Sequence, residues 1–334
     1  MAIDFSKIPK IELHRHLEGS IPMEWVQKWS DHYKLPLPKE GIDGMQVKKP
    51  MSFKKALDRI AYQQRCFQNI ESVHTLTYET LRSIANENIK LIELRFSPGF
   101  IAEPKQLSFN AIMEATLYAK ERAEKDFEIE IGFILISSRD LGVDLCEETI
   151  DLAIRWKKEI VGVDLAGDEE HFPPELFEKP FQRAKKAGLP ITIHSGEVSN
   201  PEYILTSVQK LGAARIGHGV QAEKDSNIMN FIKNNKIPLE LCPTSNFCTR
   251  AVPEIRKHPL KKYLEEGLLI TINSDDPTLF GTTLTDEYRI CHDTLKLSIE
   301  EIKKTMLTAF HHSFLSAESK KRAWERDFKS FLKN

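Results

Sequence analysis

The chain has 334 residues, of which 41% are hydrophobic, 29% are charged and 9% are aromatic. Its formal net charge of −2 argues against nucleic acid as the main partner, since such partners favour a basic surface. No apolar run is long enough to span a membrane, and the first ten residues, with Asp4, Lys7 and Lys10, lack the apolar centre of a secretion signal. Five scattered cysteines without a Cys-x-x-Cys pair do not fit a disulfide framework. These features predict a cytoplasmic protein with reduced thiols.

Short β-rich runs alternate with helical stretches along the whole chain. The predicted strands cover residues 11–17, 89–96, 129–136, 160–165, 191–194, 215–218, 237–242 and 268–273. The predicted helices cover residues 22–33, 51–67, 71–87, 109–125, 147–158, 174–187, 201–211, 225–234, 259–266 and 283–294, and begin again at residue 299. Residues 35–50 hold three prolines and two glycines, which predicts a loop.

Strands that alternate with helices imply a parallel sheet with crossover helices. Eight such units in a chain of this length predict an α/β fold, a (β/α)8 TIM barrel that forms a single domain over residues 1–334. The surplus length predicts extra helices after the first strand and at the C-terminus. An open, doubly wound sheet is the alternative, but it would follow its first strand with a glycine-rich phosphate loop, where this chain reads His-Arg-His-Leu-Glu-Gly.

Ionisable side chains collect at the predicted C-terminal ends of six strands, which is where barrel enzymes carry their catalytic groups. These segments are His14-Arg15-His16-Leu17-Glu18, Asp164-Leu165-Ala166-Gly167-Asp168-Glu169, His194-Ser195-Gly196-Glu197, Gly217-His218-Gly219, Cys242-Pro243-Thr244-Ser245-Asn246 and Ser274-Asp275-Asp276-Pro277. Ionisable groups inside a barrel mouth must pair with one another or bind something. The combination therefore predicts a functional site rather than ordinary packing.

Three histidines and one carboxylate predict a metal centre. His14 and His16 point to the same side of the first strand, because alternate residues of a strand share a face. With His194 and Asp275 they offer three nitrogen ligands and one oxygen ligand, which suits zinc with an open position for water. Zinc would lower the pKa of that water toward about 7 and so supply hydroxide. The fourth strand end has no lysine that could bridge a second metal, so one zinc ion per chain is predicted.

Three further residues have predicted roles beside the metal. Glu197 can donate a proton to the substrate if burial or substrate contact raises its pKa. His218, from the neighbouring strand, can hold the water by a hydrogen bond or can take its proton, and both roles stay open. Asp276 lies beside the ligand Asp275 but faces differently, and it can accept a hydrogen bond from a substrate ring.

Several of these segments resemble the adenosine/adenine deaminase family, zinc enzymes of the amidohydrolase superfamily. The similar segments occur in the family's order and are residues 11–19, 162–169, 193–198, 217–219 and 273–277, with Arg95-Phe96-Ser97-Pro98 as a further piece. The resemblance covers nearly the whole chain. It implies hydrolytic deamination of a small-molecule 6-aminopurine, with water as the second reactant and zinc as the cofactor.

The resemblance also implies roles for single residues. Glu197 would protonate ring nitrogen N1, while His218 and Asp275 orient the attacking water. Asp276 would bond to N7, and the backbone N–H of Gly167 to N3. Protonation at N1 makes C6 electrophilic and drains charge from the tetrahedral intermediate.

The substrate depends on Glu18. Family members that act on adenosine often carry Asp at this position and use it on the ribose, and adenine-specific relatives favour Glu. The latter tend to follow Asp-Asp-Pro with a different glycine pattern from Phe280-Gly281-Thr282-Thr283-Leu284. Relatives that deaminate aminodeoxyfutalosine are also similar. The resemblance therefore ranks adenosine first, converted to inosine and ammonia, with adenine and aminodeoxyfutalosine as the alternatives.

Two other classes of function compete with this interpretation. A catalytically silent barrel that only binds a partner is disfavoured, because every expected ligand and the proton donor are present. A metallohydrolase of esters or cyclic amides would need two metals. The remaining features predict packing or surface roles: His171, His258, His292, the pair His311-His312, and Cys242 and Cys248. Phe53, Leu57 and Phe67 either roof the pocket or only pack a helix.

Overall fold

Eight parallel strands form the centre of the fold in the computed structural model, which describes residues 3–332. They are β1 (Lys10–His16), β2 (Ile89–Phe96), β3 (Glu130–Ser138), β4 (Gly162–Ala166), β5 (Thr192–Ser195), β6 (Arg215–His218), β7 (Leu239–Leu241) and β8 (Ile270–Ile272). Strands β1 to β4 pair in order, and so do β5 to β8. Parallel bridges between Val163 and Ile191 and between Arg15 and Asp275 join the two halves at both seams. The predicted TIM barrel is confirmed.

Helices connect the strands and surround the barrel. They are α1 (Met23–Tyr33), α2 (Phe53–Gln64), α3 (Ile70–Asn86), α4 (Pro98–Ala102), α5 (Phe109–Asp126), α6 (Gly142–Arg155), α7 (Glu178–Lys186), α8 (Glu202–Gln209), α9 (Ser226–Asn234), α10 (Pro243–Cys248), α11 (Leu260–Glu265), α12 (Pro277–Phe280), α13 (Leu284–Asp293), α14 (Ile299–His312), α15 (Ala317–Ala323) and α16 (Lys329–Leu332). A π-helical turn, Trp324–Phe328, joins α15 to α16. Helices α1 to α3 lie between β1 and β2.

The predicted helix at residues 147–158 is shifted, because α6 begins at Gly142 and ends at Arg155. The predicted loop at residues 35–50 contains a 3-10 turn, Gly41–Met45. Helices α10 and α12 were not predicted. Each begins at a proline, Pro243 two residues after the end of β7 and Pro277 five residues after the end of β8. A proline suits the first turn of a helix because its missing N–H needs no partner there.

Alternation along the strands separates two kinds of buried side chain. On β1, Ile11 and Leu13 belong to the main apolar cluster, whereas Glu12 and His14 lie on the other face of the strand. The second face points into the barrel, since Arg215 of β6 reaches across it to the carboxylate of Glu93 on β2, at 2.5 Å. The barrel interior is therefore polar, and the apolar core lies between the strands and the helices.

All five cysteines are buried and free, as predicted. Among residues 3–332, no helix combines the length and the apolar character needed to cross a membrane.

Candidate active site

Four side chains meet at the rim formed by the C-terminal ends of the strands. His14 and His16 come from β1 and His194 from β5, and Asp275 follows β8. One ligand atom from each lies within 4.8 Å of all the others. The Nε2 atom of His16 is 3.1 Å from Nε2 of His194 and 3.2 Å from Oδ1 of Asp275. These four residues, predicted as one metal site, therefore lie together and could hold a single ion.

The protonation of the imidazoles fits a cation at this point. His14 turns its Nδ1 atom to Oε2 of Glu240, at 2.9 Å, and His194 turns its Nδ1 atom to Oδ2 of Asp164, at 3.0 Å. An ionised carboxylate can only accept a hydrogen bond, so Nδ1 carries the hydrogen in both rings and Nε2 keeps its lone pair. The Nε2 atom of His14 is buried and has no hydrogen-bond partner in the described part of the chain. Three nitrogen lone pairs and one carboxylate suit zinc.

A buried network of charges holds the carboxylates behind the histidines. Arg95 donates to Asp164 at 2.7 Å and to Glu240 at 2.8 Å. Arg215 donates from Nε to Glu240 at 2.6 Å. Although burial alone would raise it, the guanidinium groups of Arg95 and Arg215 hold the pKa of Glu240 well below its usual range. Both histidine partners are therefore anions, because the pKa of Asp164 is lowered as well, against its burial, by His194 and Arg95.

His218 of β6 lies on the other side of Asp275. Its Nε2 atom is 3.5 Å from Oε2 of Glu197 and 3.8 Å from Oδ2 of Asp275. Ser245 donates to the same oxygen of Asp275 at 2.6 Å. The backbones of His218 and Asp275 have φ angles of +63° and +62°, in the left-handed region that non-glycine residues seldom adopt. With the left-handed backbone at both positions, the side chains of His218 and Asp275 approach each other.

Glu197 lies in the segment that follows β5, and the carboxylate of Glu169 fixes this segment. Glu169 accepts the backbone N–H groups of residues 196–199 at 2.8, 2.9, 3.0 and 3.1 Å in chain order. The hydroxyl of Thr249 lies 3.4 Å from Oε1 of Glu197. Burial, with the nearby charges of Asp275 and Glu169, raises the pKa of Glu197 well above its usual range. This shift favours the protonated form of Glu197, which can act as a proton donor.

A cavity of about 250 Å³ opens onto this cluster. One wall holds His16, His194, Glu197, His218 and Asp275. Its apolar lining includes Phe53, Leu57 and Ile60 of α2 with Leu279 and Phe280 of α12. Phe53 and Leu57 thus line the pocket, as expected if they form its roof. Phe67 does not line it and packs in the main apolar cluster instead.

All three residues predicted to bind substrate line the same cavity: Glu18, Gly167 and Asp276. Glu18 accepts the backbone N–H of Ser97 at 2.7 Å through Oε1, while its Oε2 atom and Oδ1 of Asp276 are buried without a hydrogen-bond partner among residues 3–332. Burial raises the pKa of both carboxyl groups, and for Asp276 the charge of Asp275 adds to the effect. Buried polar atoms without partners mark places where a ligand can bond.

Gly167 and Gly19 keep space for this cavity. Gly167 has a φ of +105°, and a Cβ there would lie 2.1 Å from Oδ2 of Asp140. A Cβ on Gly19 would lie 1.9 Å from Oδ1 of Asp276. Neither position accepts a side chain without displacing a residue of the cavity wall.

The structure brings to the site, or directly behind it, four residues for which no catalytic or binding role was predicted: Glu169, Glu240, Asn246 and His258. Of these, His258 was predicted to have a packing or surface role. Glu240 had a usable signal, because a charged residue stands between two leucines in a predicted buried strand. His258 is buried, whereas His171 is exposed and pairs with Asp168 at 2.7 Å. His311 is exposed on α14, as predicted.

The closed parallel barrel and the polar groups on its C-terminal rim define a TIM-barrel enzyme with its site at the carboxyl ends of the strands. The sequence model of the family described as adenosine deaminase matches residues 9–327. The chain belongs to the adenosine deaminase family, and it is a hydrolytic aminohydrolase.

The relatives act on different 6-aminopurines. An adenosine deaminase of Shewanella loihica is 33% identical over 321 residues, which cover 95% of this chain and 97% of the relative. The crystal structure of an adenine deaminase from Arthrobacter aurescens has a TM-score of 0.90 at 26% identity and covers 98% of this chain and 100% of its own. The crystal structure of the N6-mAMP deaminase of Arabidopsis has a TM-score of 0.84 at 25% identity, and the match covers 98% of this chain and 99% of that protein's chain. The relatives' named substrates thus include a base, a nucleoside and a nucleotide.

Proposed function

We propose that the protein is a zinc-dependent deaminase of a 6-aminopurine nucleoside and converts adenosine to inosine and ammonia. The observation that carries the proposal is the meeting of His14, His16, His194 and Asp275 near the buried carboxyl group of Glu197, whose pKa is raised, beside one cavity. Zinc bound by these four residues would act as a Lewis acid and lower the pKa of a water molecule. The proposal takes residues 1–334 as one catalytic domain, supported by a family match over residues 9–327.

Glu197 supplies the proton in this proposal. Its raised pKa keeps the carboxyl group neutral, so it can donate to ring nitrogen N1 and make C6 electrophilic. The Nε2 atom of His218 and Oδ2 of Asp275 lie 3.8 Å apart. A water molecule bound near both is held for attack on C6. Its first proton passes to Oδ2 of Asp275, which delivers it to the amino group, so that ammonia leaves. Its second proton, released as the C6 oxygen becomes a carbonyl, returns to Glu197, whose own proton stays on N1.

Asp276 and Gly167 hold the purine ring. Ring nitrogen N7 is a hydrogen-bond acceptor, so a partner at N7 must donate. Burial and the charge of Asp275 raise the pKa of Asp276, which favours the protonated form that can donate to N7. The backbone N–H of Gly167 donates to N3.

The walls of the cavity favour a nucleoside over a nucleotide. The ionisable side chains of the lining, besides the histidines, are the acidic Glu18, Asp58, Asp140, Glu197, Asp275 and Asp276, with no lysine or arginine among its described residues. A phosphate group there would meet carboxyl groups and no cation to pair with.

Although adenine-specific relatives favour Glu at position 18, the contacts of Glu18 in this structure support a nucleoside over a free base. Its unpartnered Oε2 atom lines the cavity, and a ribose hydroxyl can bond to it. Adenine alone would leave that atom buried without a partner, which costs about 1–3 kcal/mol. Aminodeoxyfutalosine is the second candidate, because its larger substituent could pack against the apolar residues of α2 that line the cavity.

Ammonia release from a panel of substrates tests the proposal. The panel holds adenosine, deoxyadenosine, adenine, AMP and aminodeoxyfutalosine. We expect kcat/KM for adenosine to exceed that for adenine by about 10–100-fold, since adenine loses the Glu18 contact. We expect it to exceed that for AMP as well, because the phosphate would face carboxyl groups and no cation among the described residues of the lining. Elemental analysis should find one zinc ion per chain. Faster turnover of AMP than of adenosine, or two metals per chain, would contradict the proposal.

The substitution Glu197→Gln tests the proton donor. We expect kcat to fall by about 10²–10⁴-fold with zinc content unchanged, because the amide cannot deliver the proton. Glu202→Gln, at an exposed position nearby, serves as the control and should keep the wild-type rate. A Glu197→Gln enzyme that works at full rate would show that another group is the acid.

A further inference from the structure

A chain of hydrogen bonds approaches His218 from the side away from the cavity. The backbone N–H of Leu260 lies 3.2 Å from Nδ1 of His258. Nε2 of His258 is 3.1 Å from Oδ1 of Asn246, and Nδ2 of Asn246 is 3.1 Å from Nδ1 of His218. None of the three residues behind His218 lines the cavity.

The direction of every bond in this chain follows from its first donor. A backbone N–H can only donate, so Nδ1 of His258 accepts and has no hydrogen. A neutral imidazole then carries its hydrogen on Nε2, which must face an acceptor, and this sets the carbonyl oxygen of Asn246 toward His258. The amide nitrogen of Asn246 consequently faces His218 and donates to Nδ1. His218 is left with its hydrogen on Nε2, pointing into the site.

Burial keeps the chain in this state. Asn246 is 0% exposed and His258 is 5% exposed, so water does not compete for either side chain. Burial lowers the pKa of His258 to about 3, so the ring stays neutral at physiological pH. A second hydrogen on His258 would also point at the Leu260 N–H, which makes the charged form unfavourable.

We propose that Asn246 and His258 are positioning residues, which hold His218 as its Nε2–H tautomer so that it donates a hydrogen bond into the cavity and does not accept a proton there. The sequence left two roles open for His218, to hold the water by a hydrogen bond or to take its proton. This tautomer allows His218 only to hold the water. The effect on rate rests on the proposed deaminase function. The tautomer of His218 does not, and it can be measured without turnover.

Nitrogen NMR of histidine reads the tautomer directly. In zinc-loaded protein labelled with 15N-histidine, the signals of His218 are assigned by their loss in His218→Asn. We expect wild-type Nε2 to have the shift of a protonated nitrogen and Nδ1 that of an unprotonated one. The substitution Asn246→Asp should reverse or abolish this pattern, because a carboxylate only accepts and draws the hydrogen to Nδ1.

Two substitutions of similar size at residue 258 separate the hydrogen bond from packing. Gln has an amide nitrogen where it can donate to Asn246, and Met has the same length but no donor. We expect His258→Gln to keep the His218 signature and a kcat within about threefold of wild type. His258→Met should shift the signature and lower kcat about 10–100-fold, as other partners of site histidines do. KM should change less than about threefold in both, since residue 258 does not line the cavity.

Each result decides the proposal. A wild-type His218 with its hydrogen on Nδ1 would overturn it, and so would a His258→Met protein with an unchanged signature. Equal losses of kcat in the Gln and Met variants, with the tautomer intact in both, would show a merely structural role and also overturn it. A wild-type enzyme that deaminates no purine in the panel would refute the proposed function while the NMR result still stands.

Discussion

The carboxylate of Glu169 fixes the backbone of the segment that carries the proton donor Glu197. It accepts four successive backbone N–H groups, of residues 196–199, and its side chain is 3% exposed. The backbone of Glu197 is thus fixed by a residue 28 positions earlier in the chain. A change at Glu169 should therefore reach catalysis through geometry.

The substitution Glu169→Gln tests this dependence. The amide retains one acceptor oxygen but turns an NH2 group toward some of the backbone donors, and buried donors without a partner cost about 1–3 kcal/mol. We expect the free energy of unfolding in urea to fall by about that amount, and kcat to fall with it. Glu170→Gln, at the exposed neighbouring position, should change neither. Equal behaviour of the two variants would refute the role.

At the residue scale, the sequence predicted those site residues whose spacing or neighbours carry a signal. His14 and His16 could be paired because a strand places alternate residues on one face. His258 had no such signal, since it stands outside every predicted strand end and its partner Asn246 lies twelve residues away. Its role depends on how two connections pack, which no local pattern encodes.

Strand β7 has only three residues, Leu239–Leu241, yet its central side chain joins the network behind the metal cluster. Glu240 contacts Arg95, Arg215 and Nδ1 of His14 at 2.6–2.9 Å. A short strand suffices here, because the ion pairs and the adjacent strands fix the orientation of Glu240. The element thus serves mainly to place one carboxylate.

The substitution Glu240→Gln should uncouple this strand from the metal cluster. Removing one partner from a buried ion pair costs about 3–5 kcal/mol, and losing a histidine's carboxylate partner weakens metal binding about 10–100-fold. We expect both effects, measured by denaturant unfolding of the metal-free protein and by competition with a zinc chelator. Glu266→Gln, at an exposed position, is the control. Unchanged zinc affinity in Glu240→Gln would contradict the role.

At the element scale, long periodic segments were predictable and short ones were not. Strand β2 has the predicted bounds, Ile89–Phe96. Helices α10 and α12 have six and four residues, which is shorter than the window over which helical periodicity can be recognised. Pro243 and Pro277 marked their starts, but a proline after a strand is equally typical of a turn.

The whole molecule holds many ionisable groups inside its barrel, and this ties its stability to pH. His258 has an ordinary pKa of 6.5, which folding lowers to about 3. Between these values the unfolded chain binds a proton that the folded chain excludes, so stability falls as pH falls. The contribution of His258 is complete above pH 6.5 and is lost at about 1.4 kcal/mol per pH unit toward pH 3.

Replacing His258 by Gln should remove this part of the acid sensitivity. We expect the free energy of unfolding of metal-free His258→Gln to decline less steeply than that of wild type between pH 6.5 and about pH 4. Denaturant unfolding at a series of pH values measures the two slopes. Parallel slopes would show that His258 binds its proton equally well in both states.

At the scale of the whole molecule, alternation of strands and helices was sufficient to predict the barrel. That alternation could not show that buried ion pairs fill the barrel interior, because arginines such as Arg95 and Arg215 are more often surface residues. The pairing partners, such as Glu93 with Arg215, lie more than a hundred positions apart. Only closure of the barrel brings them together.

The bridge between Arg15 and Asp275 closes the barrel at the position where the metal ligands gather. Asp275 is the 261st residue after His14, so two segments far apart along the chain must meet before the ligand set is complete. Nascent chains that stop short of residue 275 will lack the fourth ligand. The complete set of four ligands therefore exists only after the segment that follows β8 has joined β1, and metal uptake depends on closure of the barrel.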